Sequence, residues 1–157
     1  MNTVEPYVRV TRLIRAPREK VYNAWLDPEV RKLWWGASPE MTCGECNIDP
    51  QVGSQFRIAM VQGEHEHVAF GEFVELKPFD RIVSTWSWEG TEMGKDTRLT
   101  LDLFDAEFEG RPATELQLLH EKLNDPLERS DHTTGWLGCL KNLGKMFADL
   151  DVPSSRA

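Results

Sequence analysis

The stretch Thr114-Glu-Leu-Gln-Leu-Leu-His120 and the long segment after it, which carries His132-Thr-Thr-Gly-Trp136, decide the fold. In the first part Leu116, Leu118 and His120 fall on one side and Glu115 and Gln117 on the other, the period of a half-buried strand. In the second part Trp136, Leu140, Leu143, Phe147 and Leu150 recur at steps of three and four, with Cys139 and Met146 beside them. That is one face of an amphipathic helix, and it needs a broad apolar partner. The rest of the chain reads mainly as strands, so the expected partner is a curved antiparallel sheet. A helix gripped by a sheet can enclose a hollow, and such hollows are the usual sites of small-molecule binding.

Working outward, Val8 to Arg15 reads as a first strand. Ala16-Pro17 opens a helix with proline at its first position, and Val21, Tyr22, Trp25 and Leu26 form its apolar face. Asp27-Pro28 starts a second short helix, capped by the aspartate and ending at Trp34-Trp35-Gly36. Strands are expected over 41–48, 54–61, 67–76, 81–88, 97–105 and 113–122, divided by turns rich in Gly, Pro and Asp. Short breaks between successive strands imply an antiparallel meander. The last helix follows Asp125-Pro126, with an irregular first turn allowed for.

Parity then assigns faces. Phe56, Ile58 and Met60 oppose Arg57 and Ala59, while Ile82, Ser84, Trp86 and Trp88 oppose Arg81, Val83, Thr85 and Ser87. Leu99, Leu101 and Leu103 likewise oppose Arg98, Thr100 and Asp102. One sheet face is therefore expected to be apolar and aromatic and the other wet. The fourth strand is ambiguous, because Phe70 and Phe73 fall on opposite faces.

The 157 residues fit a single α+β domain, with a core over about 8–150 and loose tails at 1–6 and 152–157. The net charge of −8 comes without a basic stripe, which argues against nucleic acid and against anionic membrane surfaces. No apolar run approaches the ~20 residues of a membrane span. No secretory signal is visible, and three cysteines make no disulfide framework, so a cytoplasmic location is expected.

A set of motifs occurs in order along the chain: Pro17, Val21-Tyr22, Trp25, Asp27-Pro28-Glu29, Trp34-Trp35-Gly36, Gly71-Glu72-Phe73, Arg81-Ile-Val-Ser-Thr-Trp86, Thr114 to Glu121, and Gly135-Trp136. Together they resemble the stand-alone bacterial members of the activator of heat-shock protein 90 ATPase homologue-like family, within the START-like (SRPBCC) superfamily. The resemblance implies the helix-grip fold: a sheet of about seven strands around a long C-terminal helix, with two short helices after the first strand. It also implies a deep cavity between sheet and helix. Members of the superfamily bind lipids, sterols, hormones and polyketides, and some are cyclases or hydrolases. The eukaryotic namesake carries an additional N-terminal domain that engages the chaperone. There is no room for that domain before Val8, so chaperone activation is not expected.

The expected cavity lining is Trp34, Trp35, Trp86, Trp88 and Trp136, joined by Phe56, Ile58, Phe73, Ser84, Leu101, Leu118, His120 and Leu140. Flat indole faces suit planar or apolar ligands, although some of these rings simply fill the core. His120 points inward by parity and is the one catalytic candidate, as a general base or an orienting group. The alternative is a buried histidine satisfied by local partners. His132, four residues before Trp136, closes the cavity mouth or caps the helix start.

Cys43-Gly-Glu-Cys46 and His65-Glu-His67 have residue types suited to zinc, but on a regular strand the two cysteines face opposite ways. No metal or cofactor is therefore expected, and no helix N-terminus follows to activate a thiol. Gly135, Gly138 and Gly144 either permit a close backbone approach or are merely tolerated. The expected partner is a small hydrophobic or aromatic molecule. The rival functions are an enzyme acting on a hydrophobic substrate and a chaperone- or regulator-binding module. A homodimer is compatible with all of these, and no residue pattern argues for one.

Overall fold

A computed structural model describes residues 6–151, the side chains of 149–151 excepted. The expected tails at 1–5 and 152–157, and the Leu150 side chain, lie outside the described residues. Pro6 belongs to the fold, since its carbonyl accepts from the Leu123 N–H at 2.9 Å.

The elements are β1 (Tyr7–Ile14), α1 (Arg18–Leu26), α2 (Pro28–Trp34), β2 (Thr42–Ile48), β3 (Gln55–Gln62), β4 (His65–Lys77), β5 (Arg81–Trp88), β6 (Thr97–Phe108), β7 (Arg111–Glu121) and α3 (Pro126–Asp151). The strands form one antiparallel sheet in the order β1-β7-β6-β5-β4-β3-β2. The meander from β2 to β7 is closed at its far side by β1, and α1 and α2 carry the chain from one edge to the other. This is the helix-grip arrangement. The inward residues of β3, β5, β6 and β7 pack with α3 in one core that contains Trp25, Trp34, Trp35, Trp86 and Trp136.

Several local expectations need correction. Pro17 is the N-cap of α1, not its first helical residue. Asp27 does cap α2, accepting the Glu29 N–H at 2.9 Å. Gly36 ends that helix without a left-handed conformation, and its lack of a side chain instead lets Met41 approach to 3.0 Å of where a Cβ would stand. The last helix has no irregular start: it begins at Pro126, with the Asp125 carboxylate accepting from Leu127 N–H. His132 therefore sits in its second turn and does not cap it.

The outer sheet face is not uniformly wet, for Ala59, Val83, Ser87 and Thr100 are buried there. On β4, Phe73 is buried while Phe70 is exposed, and the pairing with β5 slips between Phe73 and Glu75. β4 also starts two residues earlier than the expected 67, so His65 lies on the strand with His67.

The largest departure is in β2. Cys43 pairs with Met60 and Cys46 with Ile58, so three steps on β2 match two on β3. This β-bulge undoes the period of two and turns both thiols to the inner face, where both pack on the core.

Candidate functional site

A cavity of about 490 Å³ opens between the sheet and α3. Its walls come from Trp35, Ala37 and Met41 around the α2–β2 loop, Met60 on β3, Glu66 to Val68 on β4, Trp86 and Trp88 on β5, and Asp131, His132, Gly135, Trp136 and Cys139 on α3. Glu89, Thr91 and Met93 of the β5–β6 loop complete it. Trp35, Met60, Trp86, Trp136 and Cys139 are buried and form the floor, whereas Glu66, His67, Thr91, Met93 and Asp131 are exposed and mark the mouth. No lysine or arginine lines it.

Four of the expected residues, Trp35, Trp86, Trp88 and Trp136, thus line this cavity. Trp34 lies behind it, its N–H bonded to the Ala24 carbonyl at 3.0 Å and its ring edge-on to Trp25 and Trp35. Phe56, Ile58, Phe73, Ser84 and Leu101 surround a separate void of only about 20 Å³. That is room for no more than a water molecule. Leu118, His120 and Leu140 are buried core and touch neither space.

His120 has no polar atom free. Its Nδ1 accepts the Trp136 indole N–H at 3.0 Å, so the ring proton is on Nε2, which donates to Thr97 Oγ1 at 2.7 Å. Thr97 in turn donates to the Trp86 carbonyl at 2.6 Å. Burial, and then the neighbouring His132, push the His120 pKa down to about 3, so the imidazole is neutral. It is a post between β6, β7 and α3 that fixes the Trp136 wall. Of the two readings of this position, the buried histidine satisfied by local partners is the one the hydrogen bonds match.

His132 has the place at the mouth. Its Nδ1 donates to the Glu128 carbonyl at 2.7 Å, and its Nε2 accepts the Trp88 N–H at 3.0 Å. Gly94, with φ of +64°, packs its backbone on this imidazole, and an added Cβ would meet it at 2.9 Å. The β5–β6 loop is thereby seated against α3, helped by the Gly94 N–H bond to the Glu128 carboxylate at 3.3 Å. Gly135 faces open space, with nothing within 4 Å of a built Cβ, while Gly138 brings α3 so close to the α2–β2 loop that a Cβ would lie 1.8 Å from the Ala37 carbonyl oxygen.

Arg31 escaped the sequence reading. It is buried, its guanidinium lies 4.2 Å from the Trp35 ring, 4.8 Å from Trp25 and 5.2 Å from Trp34, and it donates to the Trp25 carbonyl at 2.6 Å. No carboxylate pairs with it among the described residues. Burial lowers its pKa to about 10, which leaves it charged at neutral pH. Its spacing, three and four residues before Trp34 and Trp35, was the available signal. The candidate zinc set does not assemble: no cluster of three or more metal-ligating side chains exists among the described residues. No helix there is long and apolar enough to cross a membrane.

Known structures share this architecture. Protein CV1439 from Chromobacterium violaceum is 25% identical, with a TM-score of 0.78 over 90% of this chain and 96% of its own. The AHSA1-like protein from Aeromonas hydrophila is 18% identical, with a TM-score of 0.70 over 96% of this chain and 99% of its own. DynU16, a protein of the dynemicin biosynthetic locus, is 21% identical with a TM-score of 0.72, and the match spans 92% of this chain but 48% of that one. No curated protein matches. The model of the Activator of Hsp90 ATPase homolog 1-like protein family matches residues 15–148, and the chain belongs to that family.

Proposed function

We propose that this protein binds a small, neutral, hydrophobic or aromatic molecule in the cavity between sheet and α3. The observation that carries the reading is the cavity itself: about 490 Å³, walled by four tryptophans and free of lysine and arginine. That volume lies in the range of small-molecule sites, and indole faces stack well on planar ligands. Without a basic side chain in the lining, a fatty acid or phosphate head would lose its hydration and find no counter-charge. Burying roughly 300 Å² of apolar ligand surface contributes about 7 kcal/mol before ordering costs.

The enzyme reading has lost its named base, because both His120 nitrogens are already engaged. Binding without turnover is the reading favoured here.

Calorimetric titration with a matched pair tests it. 1-Naphthalenemethanol should bind saturably, and 1-naphthaleneacetate, which differs mainly in its charge, should bind at least tenfold more weakly. Equal affinity for the two, or a preference for the carboxylate, contradicts the neutral-ligand reading.

A further inference from the structure

The bulge in β2 creates a second feature, a pair of thiols outside the cavity lining. On a regular strand, residues three apart are separated by ~10 Å, and their side chains diverge. Here the partners of Cys43 and Cys46 on β3 are Met60 and Ile58, only two residues apart. The bulge therefore shortens the span between the cysteines to about 7 Å, at the upper edge of what a disulfide bridges, and aims both thiols to one side.

The surroundings are those of a reactive pair. Both residues are half-buried and free, and β2 packs directly on α2, which brings Arg31 and Lys32 near enough for their charges to act on the thiols. Contact with the Cys46 thiol, joined by these two positive charges, outweighs the opposing effect of burial and holds the Cys43 thiol below its ordinary range, while the same contact and burial push Cys46 up. Cys139 is the contrast: fully buried on α3, its thiol is pushed up to about 12.

We propose that Cys43 and Cys46 form a thiol–disulfide exchange site that closes a reversible intrachain disulfide with a small-molecule disulfide as oxidant. The Cys43 thiolate attacks one sulfur of the oxidant, so a mixed disulfide forms and the first small thiol leaves. Cys46 gives its proton to solvent and attacks the Cys43 sulfur. The bond between them forms, the mixed disulfide breaks, and the second thiol leaves and is protonated. Two protein thiols are oxidised, and one external disulfide is reduced to two thiols.

The test is intact-mass analysis and peptide mapping of the folded protein after incubation with glutathione disulfide. The wild type and Cys139→Ser should each lose two hydrogen atoms, retain no glutathione, map a Cys43–Cys46 link, and revert with dithiothreitol. Cys46→Ser should trap one glutathione on Cys43, several-fold faster than Cys43→Ser traps one on Cys46. A wild type that stays fully reduced, keeps glutathione on Cys43, or links either cysteine to Cys139 overturns the proposal.

Discussion

The indole N–H of Trp136 on α3 donates to Nδ1 of His120 on β7 at 3.0 Å, and this bond fixes the wall of the cavity to the sheet. It also fixes how the fold responds to acid. The His120 pKa is about 3 in the folded protein, against an ordinary value of about 6.5. The unfolded chain is thus the better proton acceptor between these values, and protonation pulls towards unfolding. The contribution is complete above pH ~6.5 and is lost as the pH falls towards ~3, at up to about 1.4 kcal/mol per pH unit. Urea unfolding across that window should show this slope, and His120→Gln should flatten it. An unchanged slope in the variant would show that His120 is not the group responsible.

Two glycines of α3 should respond in opposite ways. Gly138→Ala forces a methyl group into the Ala37 carbonyl and should cost about 2 kcal/mol or more. Gly135→Ala meets nothing and should gain about 0.5–1 kcal/mol from helix propensity. Chemical denaturation of both variants checks the pair, and equal effects would contradict the close packing of α3 on the α2–β2 loop.

Arg31 should not tolerate its conservative substitute. Lysine keeps the charge but loses the flat stacking on Trp25 and Trp35, and its ammonium is costlier to bury. Arg31→Lys should therefore be destabilised by about 2 kcal/mol or more, and Arg31→Met, which removes the charge, by less. Denaturation midpoints decide it, and a lysine variant as stable as the methionine variant would show that burying an ammonium here carries no added cost.

What was legible in the sequence is what short-range periodicity encodes. The Leu116-Leu118-His120 parity and the Trp136-Leu140-Leu143-Phe147 stripe placed β7 and α3 correctly, and all of these residues are buried. Asp27-Pro28 marked the α2 start for the reason the structure gives, a side-chain cap. The β2 bulge was not legible, because counting by twos assumes an unbroken ladder, and the extra residue is fixed by the pairing with β3. The site was legible only in part for a similar reason. Parity says that a side chain points inward, but not whether it meets a ligand or another side chain. Trp86 and Ser84 share a face, yet one lines the large cavity and the other only a void the size of a water molecule. For His120 the sequence left a ligand-facing group and a locally satisfied one both open, and the partners that take its two nitrogens, Trp136 and Thr97, are distant in sequence.

Plugging the hollow beside α3 tests whether it is a ligand site. Gly135 lines the cavity and a Cβ built on it meets nothing within 4 Å, so Gly135→Leu is the substitution chosen to project into the hollow. The measurement is a tryptophan-fluorescence titration with 1-naphthalenemethanol on the wild type and on this variant, both shown to unfold cooperatively. A ligand site in the hollow gives saturable quenching in the wild type and at least a tenfold weaker response in the variant. Equal titrations, or no saturable response in the wild type, would contradict it.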